Sequence, residues 1–122
     1  MKDLIPMLLT HNLKETIQLY TEILGFEING SFSNEEEMTW VSLRKGNATV
    51  MFTIPFETQK ENPLTMSGNL YFYPENVDDL WIDLQGKVDI AWPIENFHYG
   101  MREFAISDNN GYILAFGQEI ET

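Results

Sequence analysis

The chain has 122 residues, 43% of them hydrophobic, which suits one ordinary globular domain with its own core and argues against disorder. It contains no cysteine and no run of 18 apolar residues, which excludes disulfides, thiolate chemistry and a membrane-spanning helix and favours a cytoplasmic protein. The formal net charge of −12 disfavours nucleic-acid binding, because phosphates would be repelled, and would attract a cationic ligand.

The first half of the chain predicts one strand, one helix and three further strands. An apolar run at 4–9 predicts the first strand. Asn12 then predicts a helix N-cap, with Glu15 as its capping-box partner, and apolar residues at helical spacing continue to Gly25, a typical helix-ending residue. The three strands that follow are predicted at 26–33, 38–43 and 48–54, with a hairpin turn at 44–47.

The second half repeats this order after a polar linker at 57–66. Asn76 predicts the N-cap of a second helix over 77–85, and Gly86 ends it. The strands of this half are predicted at 68–73, 88–92, 102–107 and 112–117.

The two halves form an internal repeat. Asn12 and Asn76 are 64 residues apart, and the turn glycines Gly46 and Gly111 are 65 apart. We therefore predict an α+β fold of two paired βαβββ modules, 1–56 and 67–119, in a single domain over 1–122. Because one helix covers only one face of its sheet, we expect a curved mixed sheet around a cleft, with the helices outside. Such a cleft is the natural ligand site.

Two stretches resemble the vicinal oxygen chelate superfamily, also called the glyoxalase/bleomycin resistance/dioxygenase group. LKETIQLYTEILGF at 13–26 resembles the opening of a family module, and YGMREFAISDNNGYILAFGQ at 99–118 resembles its closing hairpin. The second stretch is most similar to the bleomycin-resistance branch. That resemblance implies a homodimer that sequesters a small molecule in a cleft shared between subunits.

Metal-dependent members of the superfamily carry His, Glu or Gln at cleft-facing strand positions, usually two from each half. The resemblance places the matching positions at Ile5, Val50 or Met51, Asn69 and Ala115. None is a usual ligand for a divalent transition metal. The two histidines, His11 and His98, both fall in predicted loops. We therefore expect neither a metal nor another cofactor.

The sequence offers no clear catalytic group. No serine or threonine has a visible histidine partner, and the carboxylate that lies mid-strand among apolar neighbours is Glu103. We interpret Glu103 as an outward-facing side chain paired with Arg102 or Lys87, since carboxylates are mostly exposed. The pattern favours a binding protein over an enzyme. The alternative is a metal-dependent lyase, isomerase or dioxygenase with displaced ligands.

Aromatic residues give the predicted cleft its character. Alternation along the fifth strand puts Tyr71 and Tyr73 on one face with Asn69. We predict an apolar, aromatic-walled groove suited to a flat aromatic or cationic compound, such as a bleomycin-like antibiotic. Its lining is Ile5, Met7, Trp40, Asn69, Tyr71, Tyr73, Trp92, His98, Tyr99 and Ala115. Plain core packing is an equally good interpretation of Trp40, Tyr71, Tyr73 and Tyr99. It is preferred for Phe26, Phe72, Trp81, Phe104 and Phe116.

Overall fold

The computed structural model describes residues Met1–Glu121, which divide into two compact units, Met1–Leu64 and a second that begins at Thr65. Each unit contains one four-stranded mixed sheet and a helix that contacts it. The predicted α+β fold of two βαβββ modules is confirmed. No helix within the described residues is long and apolar enough to cross a membrane.

The first module consists of β1 Met7–Leu9, α1 Leu13–Gln18, β2 Glu27–Ser33, β3 Met38–Lys45 and β4 Ala48–Thr53. Its strands lie in the order β1-β4-β3-β2, with β1 parallel to β4 and the other pairs antiparallel. The helix α1 continues directly into a π-helical turn, Leu19–Ile23, and contacts β3.

The second module consists of β5 Leu70–Phe72, α2 Val77–Leu84, β6 Asp89–Asn96, β7 Met101–Ser107 and β8 Ile113–Glu119. A 3-10 turn, Glu57–Gln59, precedes it in the chain. The second module has the same topology as the first, with its strands in the order β5-β8-β7-β6 and β5 parallel to β8.

Both helices begin as the sequence predicts. The Asn12 side chain accepts a hydrogen bond from the Glu15 amide at 3.0 Å, and Asn76 accepts one from the Asp79 amide at 3.0 Å. These bonds satisfy donors that a helix N-terminus leaves without partners. The glycines after the two helices, Gly25 and Gly86, have φ of 79° and 85°, a backbone conformation that residues other than glycine rarely adopt.

Several strand boundaries differ from the predicted ones. β1 begins at Met7 rather than at residue 4, and just before it the Pro6 carbonyl accepts from the Met51 amide at 2.9 Å. β5 covers only Leu70–Phe72. β6 continues past Trp92 to Asn96 despite Pro93, because β6 is an edge strand with register shifts around Trp92.

The core of each module lies between its helix and one face of its sheet. Tyr20 packs edge-on against Phe26 and Phe52 in the first module, and Trp81 packs edge-on against Phe104 in the second. Because side chains alternate along a strand, Phe104 and Ile106 of β7 face α2, whereas Glu103 and Ala105 face the opposite side. That opposite face carries the candidate site.

Candidate functional site

A buried carboxylate lies at the centre of the β5–β8 sheet, on the face opposite α2. Glu103 is only 3% exposed. Its Oε1 accepts hydrogen bonds from the Tyr71 hydroxyl at 2.8 Å and the Tyr99 hydroxyl at 2.9 Å, and its Oε2 accepts from the Trp92 indole N–H at 3.0 Å. We call Glu103, Tyr71, Trp92 and Tyr99 the Glu103 cluster.

The three donors come from three different segments. Tyr71 lies in the middle of β5, and Trp92 lies at the irregular part of β6, where it pairs with Ala105. Tyr99 lies in the turn between β6 and β7. That turn is closed by the Gly100 amide bonding to the Phe97 carbonyl at 3.1 Å and the Phe97 amide to the Met101 carbonyl at 2.8 Å. The tight turn places Tyr99 four residues before the carboxylate it reaches.

This arrangement explains how a carboxylate is tolerated inside the structure. Burying a charged group is costly unless hydrogen bonds replace its water shell, and here both oxygens receive neutral donors. The interpretation of Glu103 as an outward-facing residue paired with Arg102 or Lys87 was therefore wrong. Arg102 instead donates to Asp78 at 2.9 Å, and Lys87 donates to Asp83 at 3.2 Å.

The hydroxyl groups of the cluster are held in their protonated, donating form. Burial, the hydrogen bond to Glu103 and its negative charge raise the pKa of Tyr71 well above the ordinary tyrosine value of 10.0. Desolvation and the same carboxylate also raise the pKa of Tyr99. Both phenols are therefore protonated at neutral pH.

Aromatic rings extend the cluster towards solvent. The Tyr73 ring lies 5.2 Å from that of Tyr71, Phe97 stacks on Tyr99 at 5.4 Å and 17°, and His98 meets Tyr99 edge-on at 5.2 Å. Tyr73 is 76% exposed and Tyr99 is 52% exposed. The site thus combines a buried anion with exposed ring surface, which is a combination that can hold a flat or cationic organic group.

A sequence profile of the glyoxalase/bleomycin resistance protein/dioxygenase superfamily matches residues 6–116, most of the chain. The chain belongs to this superfamily. A search of curated proteins by sequence finds no match.

Several solved structures have the same fold. A bleomycin resistance determinant encoded on the transposon Tn5 gives a TM-score of 0.73 at 19% identity, covering 99% of this chain and 100% of that chain. TnmS3, an antibiotic binding protein from Streptomyces sp. CB03234, gives 0.74 at 16% identity, covering 98% and 99%. A glyoxalase-related enzyme from Clostridium phytofermentans gives 0.79 at 19%, covering 98% and 96%.

The positions where the resemblance to this superfamily predicted metal ligands do not fit a metal. Met51 pairs with Met7, whereas Val50 belongs to the buried core, so Met51 is the matching residue of β4. Ala115 is fully buried and pairs with Tyr71. Ile5 and Asn69 are exposed and precede β1 and β5. Within Met1–Glu121, no group of three or more His, Cys, Asp or Glu side chains is placed to hold a metal ion.

The predicted cleft residues fall into two sets. Tyr71, Trp92 and Tyr99 meet at Glu103, and Tyr73 and His98 are in ring contact with this cluster. Asn69 and Ala115 also belong to the second module, where Ala115 pairs with Tyr71. Ile5, Met7 and Trp40 belong to the first module, where Trp40 of β3 pairs with Phe32 and Thr53.

The structure differs from the sequence prediction at one residue of the site and adds another. The sequence predicts an exposed Glu103, because two of its donors, Tyr71 and Trp92, are 32 and 11 residues away in the chain. Gly117, which the sequence pattern does not single out, pairs directly with Glu103 in the sheet. A glycine inside a predicted strand often marks a place where another group approaches the backbone closely, and this is the sequence feature that could have indicated the role of Gly117.

Proposed function

We propose that this superfamily member is a small-molecule binding protein that holds an aromatic or cationic compound, such as a bleomycin-like antibiotic, against the Glu103 cluster. The observation that carries the proposal is the buried Glu103 carboxylate, which accepts from Tyr71 and the exposed Tyr99, with the exposed ring of Tyr73 in contact with Tyr71. A ligand ring gains contact area on the tyrosines, and a positive charge on the ligand gains from both the rings and the carboxylate.

The overall charge supports a cationic ligand. A formal net charge of −12 gives the surface a negative potential that raises the local concentration of cations and speeds their association. The bleomycin resistance determinant and the antibiotic binding protein that share this fold support the small-molecule assignment. At their level of identity they support the fold and not a particular ligand.

We further propose that binding requires no metal and that the protein acts in the cytoplasm as a homodimer. The metal-free proposal is supported by the side chains at the four family positions, which are hydrocarbon, thioether or amide groups. The cytoplasmic proposal is supported by the cysteine-free composition. The dimer proposal is supported only by the resemblance to the bleomycin-resistance branch.

The direct test is a thermal-shift and tryptophan-fluorescence screen with metal-free bleomycin, the flat cation acridine orange and its neutral relative acridone. A ligand at about 100 times its Kd adds about 2.7 kcal/mol to stability, which is easily measured as a rise in Tm. We expect the cationic probes to raise Tm in the presence of EDTA. The Tyr73→Ala variant should weaken binding, whereas Phe56→Ala, which removes an aromatic ring 72% exposed in the first module, should not.

Two outcomes would overturn the proposal. One is the absence of any shift with all three probes together with a shift from an unrelated neutral metabolite. The other is a stoichiometric transition metal that survives dialysis and is needed for binding, which would support the alternative of a metal-dependent lyase, isomerase or dioxygenase with displaced ligands. Equal Tm shifts with acridine orange and acridone would support binding of an aromatic ligand but contradict the preference for a cationic one.

A further inference from the structure

Gly117 occupies a place where the backbone alone does not require glycine. It lies inside β8, a strand of seven residues, and pairs with Glu103 of β7. The residues with positive φ are Gly25, Gly46, Gly86, Gly100 and Gly111, and Gly117 is not among them. Glycine inside a strand weakens it, because it orders a flexible residue without adding a side chain to pack. Another reason must account for its presence.

That reason is the side chain of Tyr71. A Cβ atom added to Gly117 would fall on the Tyr71 hydroxyl oxygen, and would lie 2.6 Å from Cζ and 3.0 Å from Cε1 of the same ring. The Tyr71 ring therefore crosses directly over the bare backbone of Gly117, and from there its hydroxyl reaches Glu103 Oε1 at 2.8 Å. A methyl group at position 117 and this ring position exclude each other.

We propose that Gly117 is a positioning residue, whose missing side chain lets Tyr71 reach the Glu103 carboxylate and so fixes the aromatic surface of the site. Its effect on ligand binding rests on the proposed function, whereas its effect on Tyr71 does not. The conflict falls on a side chain rather than on backbone. An alanine at 117 therefore displaces the Tyr71 ring and leaves β8 in register.

Displacement of Tyr71 has two consequences. Glu103 Oε1 loses one of its two donors, with Tyr99 remaining. The ring pair of Tyr71 and Tyr73 is also broken, since their centroids lie 5.2 Å apart in the native arrangement. A site with freely rotating rings must order them on binding, which lowers affinity.

A double-mutant cycle tests the contact without any ligand. We expect Gly117→Ala to lower Tm by about 4 °C or more, and to have little effect or a slight stabilising effect when Tyr71 is already alanine. Gly68→Ala is the matched control, because no atom lies within 4 Å of its added Cβ and its φ is not in the left-handed region. Equal Tm changes for Gly117→Ala in the two backgrounds would overturn the proposal.

Tyrosine ionisation gives a second readout that a general loss of stability would not produce. In the folded Gly117→Ala variant, one tyrosine more than in wild type should ionise near the ordinary value of 10.0, because Tyr71 has left Glu103. The measurement is the tyrosinate absorbance, with circular dichroism confirming the folded state. An unchanged titration would contradict the proposal.

A folding-rescue experiment and a binding experiment distinguish failure of this inference from failure of the proposed function. If Gly117→Ala does not fold, recovery of folding in the Gly117→Ala/Tyr71→Ala double variant supports the steric argument, and failure to recover overturns it. With acridine orange as the probe, Gly117→Ala should raise Kd several-fold relative to Gly68→Ala. If wild type does not bind the probe at all, the proposed function fails while the ligand-free cycle still decides the role of Gly117.

Discussion

The two modules share a backbone plan but differ in chemistry on the sheet face opposite the helix. In the first module Trp40 pairs with Thr53, and in the second Glu103 pairs with Gly117 at the corresponding place. The next pair, Val41 with Phe52, likewise corresponds to Phe104 with Phe116, and both of those pairs are core residues. The repeat therefore preserves the helix-facing core and varies the other face.

The difference extends to the neighbouring edge strand. Gly30 of β2 pairs with Ser42, and an added Cβ there would lie 3.3 Å from the Trp40 ring, so a large ring packs over a small residue. At the corresponding place in the second module, Trp92 pairs with Ala105 and donates its indole N–H to Glu103. One module thus fills this region with an apolar ring, and the other with a carboxylate whose donors are aromatic side chains.

Among changes to the features that distinguish the two modules, removal of the Glu103 carboxylate should have the largest effect on stability. Glu103→Ala leaves three donors without their acceptor, and should lower the free energy of unfolding by about 3 kcal/mol. Urea unfolding measures the change. The control is Glu95→Ala, which removes an exposed carboxylate directly across from Glu103 and should change stability by no more than about 0.5 kcal/mol. Equal losses from the two variants would mean that Glu103 is an ordinary surface residue.

A smaller effect is expected from removing one donor. Tyr71→Phe keeps the ring but deletes a hydrogen bond to a carboxylate, and should cost about 1.5 kcal/mol in the same assay. Tyr73→Phe removes a hydroxyl from a residue 76% exposed and should fall within about 0.5 kcal/mol of wild type. Identical unfolding curves for the two variants would contradict the assigned role of Tyr71.

The helix caps test what the modules have in common. Asn12→Ala and Asn76→Ala each delete a side-chain acceptor for a first-turn amide at 3.0 Å, so each should cost about 1 kcal/mol. Substitution by Gly should cost only a few tenths of a kcal/mol, because glycine is tolerated at the N-cap position. A large cost for one Asn and none for the other would show that the repeat does not extend to the energetics of its helices.

The smallest expected effect is on how stability depends on pH, and it appears only in alkali. The pKa of Tyr71 is raised in the folded protein, so its stabilising contribution is complete below the ordinary value of 10.0 and is lost as pH rises through the folded pKa. Between 10.0 and the folded pKa the unfolded chain has released a proton that the folded chain retains, and stability falls as pH rises. Thermal unfolding at increasing pH should show a shallower fall for Tyr71→Phe than for wild type. Tyr73→Phe, which keeps the Tyr71 contact, should follow wild type.

Local signals predicted much of the fold. The caps at Asn12 and Asn76 and the glycines after the helices depend on residues within one turn of each other, so the sequence contains their whole explanation. Strand edges were less predictable. The start of β1 at Met7 is set by where its pairing with β4 begins, and the extension of β6 through Pro93 depends on its being an edge strand.

The sequence by itself determined the repeat, the two helix starts and the alternation that separates Glu103 from Phe104. It could not determine what Glu103 faces, because alternation assigns a side but not a neighbour. Tyr71 and Trp92 are 32 and 11 residues away, and only sheet pairing brings them within 3.0 Å of the carboxylate. Only the tertiary structure shows that Glu103 is buried at the centre of the site, because a buried charge needs hydrogen-bond partners and the fold brings those partners together.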